Sequence, residues 1–388
     1  MNKPDPAIAA FRSNRRQVLR QTVGLCAAGI APVGSPALAK TQTPDATTWI
    51  SSCGRGRRQY ALAAVGGAGR YDADGPQAIP LPVRAHAMAI HPTRKQAVAM
   101  ARRPGTMAWV IALPLRTQAA LLRTPRERHF LGHAVYSPDG KTLFTTENAY
   151  NEQRSVIGLW DTDTWQRIGE LPTHGIGAHA LHWMPDNQTL AVCNGGILTH
   201  PAFPRKKLNL DTMQPSLVYL DARSGQLIDE YRPAHHRLSV RHLDVSHDGT
   251  VVLAMQMQQA DGTARPLLAR HRGEPALVST EIAEPLSWHL FNDYIGDVSL
   301  SADGQWAGVT SPRGGVLGFW HVAENRIVQL DAIADVCGIG FDPANGSFLA
   351  SAGTGSASTY RLDESRWTLT DRKQFAGFQW DNHLSILS

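Results

Sequence analysis

Ala134-Val-Tyr-Ser-Pro-Asp-Gly140 runs directly into Lys141-Thr-Leu-Phe-Thr145. Two short β-rich runs flank a turn in which Pro presets the first dihedral and Gly accepts the positive φ that closes it. The stretch predicts a tight β-hairpin. Outward from it the same design recurs. Ala180-Leu-His-Trp-Met-Pro-Asp-Asn187 leads into 189–192, Leu243-Asp-Val-Ser-His-Asp-Gly249 into 250–253, and Val298-Ser-Leu-Ser-Ala-Asp-Gly304 into 305–309. Ile339-Gly-Phe-Asp-Pro-Ala-Asn-Gly346 leads into 347–350, and Ala87-Met-Ala-Ile-His-Pro92 opens a degenerate copy.

After each hairpin comes an apolar strand that ends in a short turn, as in Ile157-Gly-Leu-Trp-Asp-Thr-Asp163 or Val316-Leu-Gly-Phe-Trp-His-Val-Ala-Glu324. Trp109, Trp160, Leu220, Arg270, Trp320 and Tyr360 fall at comparable places. They lie roughly 40 to 60 residues apart, the period of a four-stranded propeller blade. Helical periodicity does not persist anywhere after the leader. Six hairpin copies are readable. A seventh blade requires Tyr60-Ala-Leu-Ala-Ala-Val65 to pair with strands from the C-terminus, a closure that removes exposed sheet edges. The expectation is an all-β, seven-bladed β-propeller forming one domain over 40–388, with six or eight blades as alternatives. A β-sandwich fits neither the length nor the repeat.

The first 39 residues read as a leader. Asn14-Arg15-Arg16-Gln17-Val18-Leu19-Arg20 sets a twin arginine before a weakly apolar stretch over 22–33, too short and too rich in Gly and Ala for a stable membrane anchor. Ala37-Leu38-Ala39 offers the small residues that a signal peptidase reads, and cleavage is expected after Ala39. Gly24, Gly29, Pro32, Gly34 and Pro36 make an amphipathic first helix poor chemistry. Leu25 stands before Cys26 where a lipoprotein signal wants a small residue, so the expected product is soluble and periplasmic.

Export changes how charge is read. The formal net charge is +5, but Lys3, Arg12, Arg15, Arg16 and Arg20 against Asp5 account for all but about one unit of it. Arg55-Gly-Arg-Arg58 and Arg205-Lys-Lys207 are short and sit among turn residues. Nucleic-acid binding is therefore not expected. Cys53, Cys193 and Cys337 remain after cleavage, an odd number without paired short spacing, and read mainly as small buried residues. A chain of this length folds without cross-links, and the expected product is a monomer.

Some segments exceed what strands and turns need. They are Thr173-His-Gly-Ile-Gly-Ala-His-Ala-Leu-His182, Asn194-Gly-Gly-Ile-Leu-Thr-His-Pro201, Leu208-Asn-Leu-Asp-Thr-Met213, Ser239-Val-Arg-His-Leu243 and Ser311-Pro-Arg-Gly-Gly315. Together they resemble a domain-of-unknown-function family of twin-arginine-exported bacterial proteins, whose members are often encoded beside imelysin-type iron-uptake proteins. The resemblance runs from about residue 50 to about residue 355. It implies a propeller of the WD40/YVTN or quinoprotein dehydrogenase-like type, a role in periplasmic iron acquisition, and imelysin-type proteins as partners. One departure matters: the family pattern Gly-Ile-Gly-Pro-His-Glu appears here as Gly175-Ile-Gly-Ala-His-Ala180. That removes a carboxylate from beside His179.

The repeat itself suggests where side chains converge. His86, His133, His179 and His242 each stand just ahead of a hairpin's first strand, so equivalent positions in neighbouring blades meet near the axis, at one channel mouth. Neutral imidazoles there suit a divalent transition metal such as iron, copper, nickel or zinc; the cofactor stays open, with iron or copper as candidates. Asn194, His200, Arg241 and Arg313 are candidate ligand-binding groups around the same mouth. Each has a plainer reading. A His before a blade strand often bonds backbone or an Asp of its own sheet. Asn194-Gly-Gly suits an ordinary tight turn, and an Arg often spans two blades. The leading function is thus a periplasmic binding protein holding a metal or small ligand. A propeller lyase or dehydrogenase using His and Arg, and a non-catalytic interaction scaffold, stay open beside it.

Overall fold

The computed structural model describes residues 48–66, 76–113, 117–203 and 206–387; the expected leader lies outside them. Seven sheets, antiparallel but for one outer strand, form seven blades. Blade 1 shows the pattern in full: Ala85–Ile90, Gln96–Ala101, Met107–Ala112 and Thr117–Arg123, in that order from the axis outward. Innermost strands of blades 2 to 6 are Arg128–Tyr136, Ala178–Trp183, Leu238–Val245, Asp297–Leu300 and Val336–Asp342. Blade 5 carries an extra outer strand, Glu281–Ile282, parallel to Arg326–Ala332. Blade 7 closes the ring with strands from both ends of the chain, but the expected partner differs: the C-terminal strand Gln379–Leu387 pairs with Thr48–Gly54, and Tyr60–Val65 and Gln77–Leu81 lie beyond it. Among the described residues no helix is long and apolar enough to cross a membrane.

The sequence turns do two jobs. Gly140 has φ +73°, and its N–H donates to the Ser137 carbonyl at 2.8 Å. Asp139 Oδ1 accepts from Ser137 Oγ at 2.6 Å and from the Lys141 N–H at 3.1 Å, which closes the hairpin. The same glycine packs against blade 1. His91 Nε2 donates to the Gly140 carbonyl at 3.1 Å, and a Cβ on Gly140 would stand 2.5 Å from His91 Cε1. Turn geometry and blade-to-blade contact therefore ask for Gly at one position.

Between blades the core is aromatic and aliphatic. Trp320, Trp380, Tyr360, Phe130 and Phe348 are among the largest fully buried side chains. All three described cysteines are free and buried, and burial pushes the Cys53 thiol up to about 12. They pack rather than react.

One irregularity positions the site. The innermost strand shifts register against its neighbour in six of the seven blades, between Ala85 and Met88, Phe130 and Ala134, Ala178 and Leu181, Val240 and His242, Val336 and Ile339, and at 381–383 in blade 7. Extra residues in a bulge re-aim a side chain out of the sheet's alternation. Here the bulges bring side chains of several blades together.

Candidate functional site

His86, His133, His179 and His242 lie within the innermost strands, at the bulges, rather than ahead of the strands as the hairpin pattern suggested. The irregular register explains the difference: the pairing already begins at Ala85, Arg128, Ala178 and Leu238. Blade 7 adds a fifth imidazole, His383, and blade 5 adds Asp297. In blade 6 the bulge carries Gly338, where a Cβ would meet the Leu384 backbone nitrogen at 2.8 Å. That glycine lets the blade 7 strand approach.

The five imidazoles form a ring inside the channel. Ring centroids are 5.1 Å apart for His86 and His133, 4.8 Å for His133 and His179, 4.8 Å for His179 and His242, 4.7 Å for His242 and His383, and 4.6 Å for His383 and His86. Three sets of possible ligand atoms lie within 4.8 Å of one another: His86, His133 and His383; His133, His179 and His242; and His242, Asp297 and His383. His86 Nε2 and His179 Nε2 are 3.3 Å apart. Two nitrogens bound at about 2.05 Å to one tetrahedral ion would be separated by ~3.3 Å.

Protonation fits as well. Burial holds His86, His133, His179 and His242 well below the ordinary imidazole range, and neighbouring positive groups add to the effect. Neutral imidazole is the form that coordinates a metal. His86 Nδ1, His133 Nε2, His242 Nδ1 and His383 Nε2 are buried without a hydrogen-bond partner. His383 is held differently. Its Nδ1 lies 3.0 Å from Asp297 Oδ1, and Asp297 also accepts the Val298 N–H at 3.0 Å and the Ile339 N–H at 3.1 Å. A carboxylate on Nδ1 keeps the proton there and leaves the Nε2 lone pair for a ligand. Gly132, with φ +109°, lets the blade 2 backbone lie against His86; a Cβ there would stand 2.5 Å from its Cδ2.

The ring separates two cavities. One, about 230 Å³, is bounded by His86, His179 and His242 below and by Arg102, Arg103, Lys207, Arg241 and Arg313 around it. The other, about 310 Å³, is bounded by His133, His242 and His383 and by Asp244, Asp297 and His182. Ala180 also lines this second cavity, so a Glu at that position would add a carboxylate to a wall that already has two.

Arg241 and Arg313 thus stand where the sequence suggested, beside the ring. Arg241 is the bulge residue next to His242; burial pushes its guanidinium down to about 10. Arg313 lies over the Tyr294 ring, 4.4 Å from its centroid. Asn194 and His200 are not part of either cavity wall. Asn194 is fully buried, donates to the Thr173 carbonyl at 2.8 Å, and fills the space beside Gly175. The N–H groups of Gly195 and Gly196 donate to the carbonyls of Gly177 and Ile176 at 2.9 and 2.8 Å, an ordinary turn. His200 has its Nε2 3.1 Å from Asn151 Oδ1, and its Nδ1 accepts the Ala202 N–H at 3.1 Å. Both nitrogens are used locally.

A family model described as "Protein of unknown function (DUF1513)" matches residues 79–387. The chain belongs to this family. The matched span begins later and ends later than the motif resemblance, and it includes His383. No curated protein matches the chain. Among solved structures, a chain of Kuenenia stuttgartiensis hydrazine synthase superposes with a TM-score of 0.58 at 12% identity, covering 85% of this chain and 99% of that one. At that identity the likeness speaks to fold alone.

Proposed function

We propose that this propeller binds one first-row transition-metal ion, iron or copper, within its axial channel, and serves as a periplasmic binding protein in iron acquisition. One observation carries the metal reading: five imidazoles from five blades converge, four of them with a buried nitrogen that has no hydrogen-bond partner. Buried polar atoms are normally satisfied, and unpartnered imidazole nitrogens gathered in sets of three within 4.8 Å of one another suit a cation. Three or more of His86, His133, His179, His242 and His383 would hold the ion, with Asp297 orienting His383 or entering the ligand set. Imidazole donors suit iron and copper, as they do zinc and nickel.

Location and purpose rest on other observations. The Arg15-Arg16 leader supports twin-arginine export, and the motif resemblance supports work beside imelysin-type iron-uptake proteins. Elemental analysis of the protein purified from periplasm, beside a His179→Ala/His242→Ala variant, tests the reading. About one ion per chain, lost in the variant, is expected. A metal-free protein that takes up nothing on reconstitution would sink it.

A further inference from the structure

We infer that the cavity on the arginine side of the ring is a second site, for a small multivalent oxyanion such as a polycarboxylate or phosphate. The inference goes beyond the metal reading, because it rests on side chains other than the imidazoles.

Four blades send basic groups to this cavity. Arg102 and Arg103 follow the second strand of blade 1, Lys207 comes from the 195–215 segment of blade 3, Arg241 from the bulge of blade 4, and Arg313 from a turn of blade 5. Among the described residues no Asp or Glu belongs to the wall; its remaining polar groups are Gln256, Gln258, Asn382 and Tyr294 besides the imidazoles. The charges are only partly answered. Arg102 has Asp381 at 3.8 Å, Arg313 stacks on Tyr294, and Lys207 donates to Gln258 Oε1 at 2.5 Å. Arg103 and Arg241 have no ion pair among the described residues, and Arg241 Nε is buried without any partner.

Like charges gathered in a partly desolvated cavity repel, and Lys207 shows it: burial and then Arg241, Arg313 and Arg103 hold its ammonium below the ordinary range. An arrangement of this kind is stable when an anion sits in it. Guanidinium forks match carboxylate and phosphate oxygens two at a time, which is why Arg rather than Lys dominates such sites. The size selects as well. At about 230 Å³ the cavity lies below the range of drug-sized ligand pockets, so the occupant is a compact anion.

Calorimetric titration of the metal-stripped full chain, with citrate in one arm and inorganic phosphate in the other, tests the site. Binding in at least one arm is expected, weakened about tenfold or more by Arg103→Gln and by Arg241→Gln and unchanged by Arg123→Gln, which lies outside the cavity. The better arm names the class. Arg103 is exposed, so Arg103→Gln remains readable even if melting shows that Arg241→Gln does not fold. Binding in neither arm would overturn the proposal, as would binding indifferent to both variants. Binding that appears only in metal-loaded protein would overturn it too, since the anion would then be a ligand of the ion. None of these results requires the metal reading to hold.

Discussion

The two sides of the histidine ring differ in charge although innermost strands of the same five blades contribute to both. Above it stand Arg102, Arg103, Lys207, Arg241 and Arg313; below it stand Asp244 and Asp297 with His182. Asp244 is raised by burial, eased by His182, whose Nε2 lies 3.7 Å from Asp244 Oδ1. Loops and turns carry most of the basic groups, whereas both carboxylates come from innermost strands. A propeller can therefore tune its two mouths separately, one through connections and the other through strand positions. The ring lies at the boundary, where a cation is drawn to one wall and repelled by the other.

That contrast yields a graded set of expectations. The largest effect belongs to the ring itself. His133→Ala/His383→Ala removes two of the three donors of the His86, His133 and His383 set and one from each of the other two sets, and metal affinity measured by chelator competition should fall more than ~100-fold, beyond what outer-shell changes cause. If one of the ring's sides carries no coordination, the loss will be small.

Asp297→Asn comes next. It keeps the volume near His383 but removes the charge that holds its Nδ1 proton, so the loss should be about 10–100-fold by the same competition. Asp244→Asn, which touches the cavity but not His383, should change affinity far less.

Acid should release both metal and fold. His86, His133, His179 and His242 are held below the ordinary imidazole value of 6.5, so the unfolded chain takes up protons first. Stability is then full above that value and is lost as pH falls through it toward the depressed folded values. Chemical denaturation midpoints should drop from pH 7.5 to pH 5, and His86→Gln should flatten the dependence; equal midpoints would contradict the buried, neutral state assigned to the ring.

The smallest effect has the opposite sign. Arg241→Gln removes a positive charge from the other side of the ring, and metal affinity should rise by only a few-fold, with salt erasing the gain. A fall instead would mean that Arg241 supports the ring structurally.

Much of this was legible from particular residues. Pro138-Asp139-Gly140 and its relatives dictate hairpins locally, and blade closure follows from leaving the strand at 60–65 without a partner otherwise. The four histidines at 86, 133, 179 and 242 were visible because each precedes an apolar run that ends in a recognisable turn. His383 was not. Its strand pairs with Thr48–Gly54, so no turn follows it in sequence. Asp297 was hidden by its residue type, which reads as turn chemistry, although a positional signal existed: it stands four residues before Ser301, as His133 stands before Ser137 and His242 before Ser246. Asn194 and His200 misled because the chain after them is tied back to its own blade, where Asn209 Oδ1 accepts the Leu198 N–H at 2.7 Å and its Nδ2 donates to the Gly196 carbonyl at 2.8 Å. Motif length signals a special conformation as readily as a ligand.

The most direct test of the central claim is an anomalous-difference map from crystals of the metal-loaded protein, collected across the absorption edge of the bound element. One peak on the axis, within about 2.0–2.2 Å of at least three nitrogens of the ring histidines, is the predicted result. A peak elsewhere, or ordered water bonded to His86, His133, His242 and His383 with no peak, would contradict it.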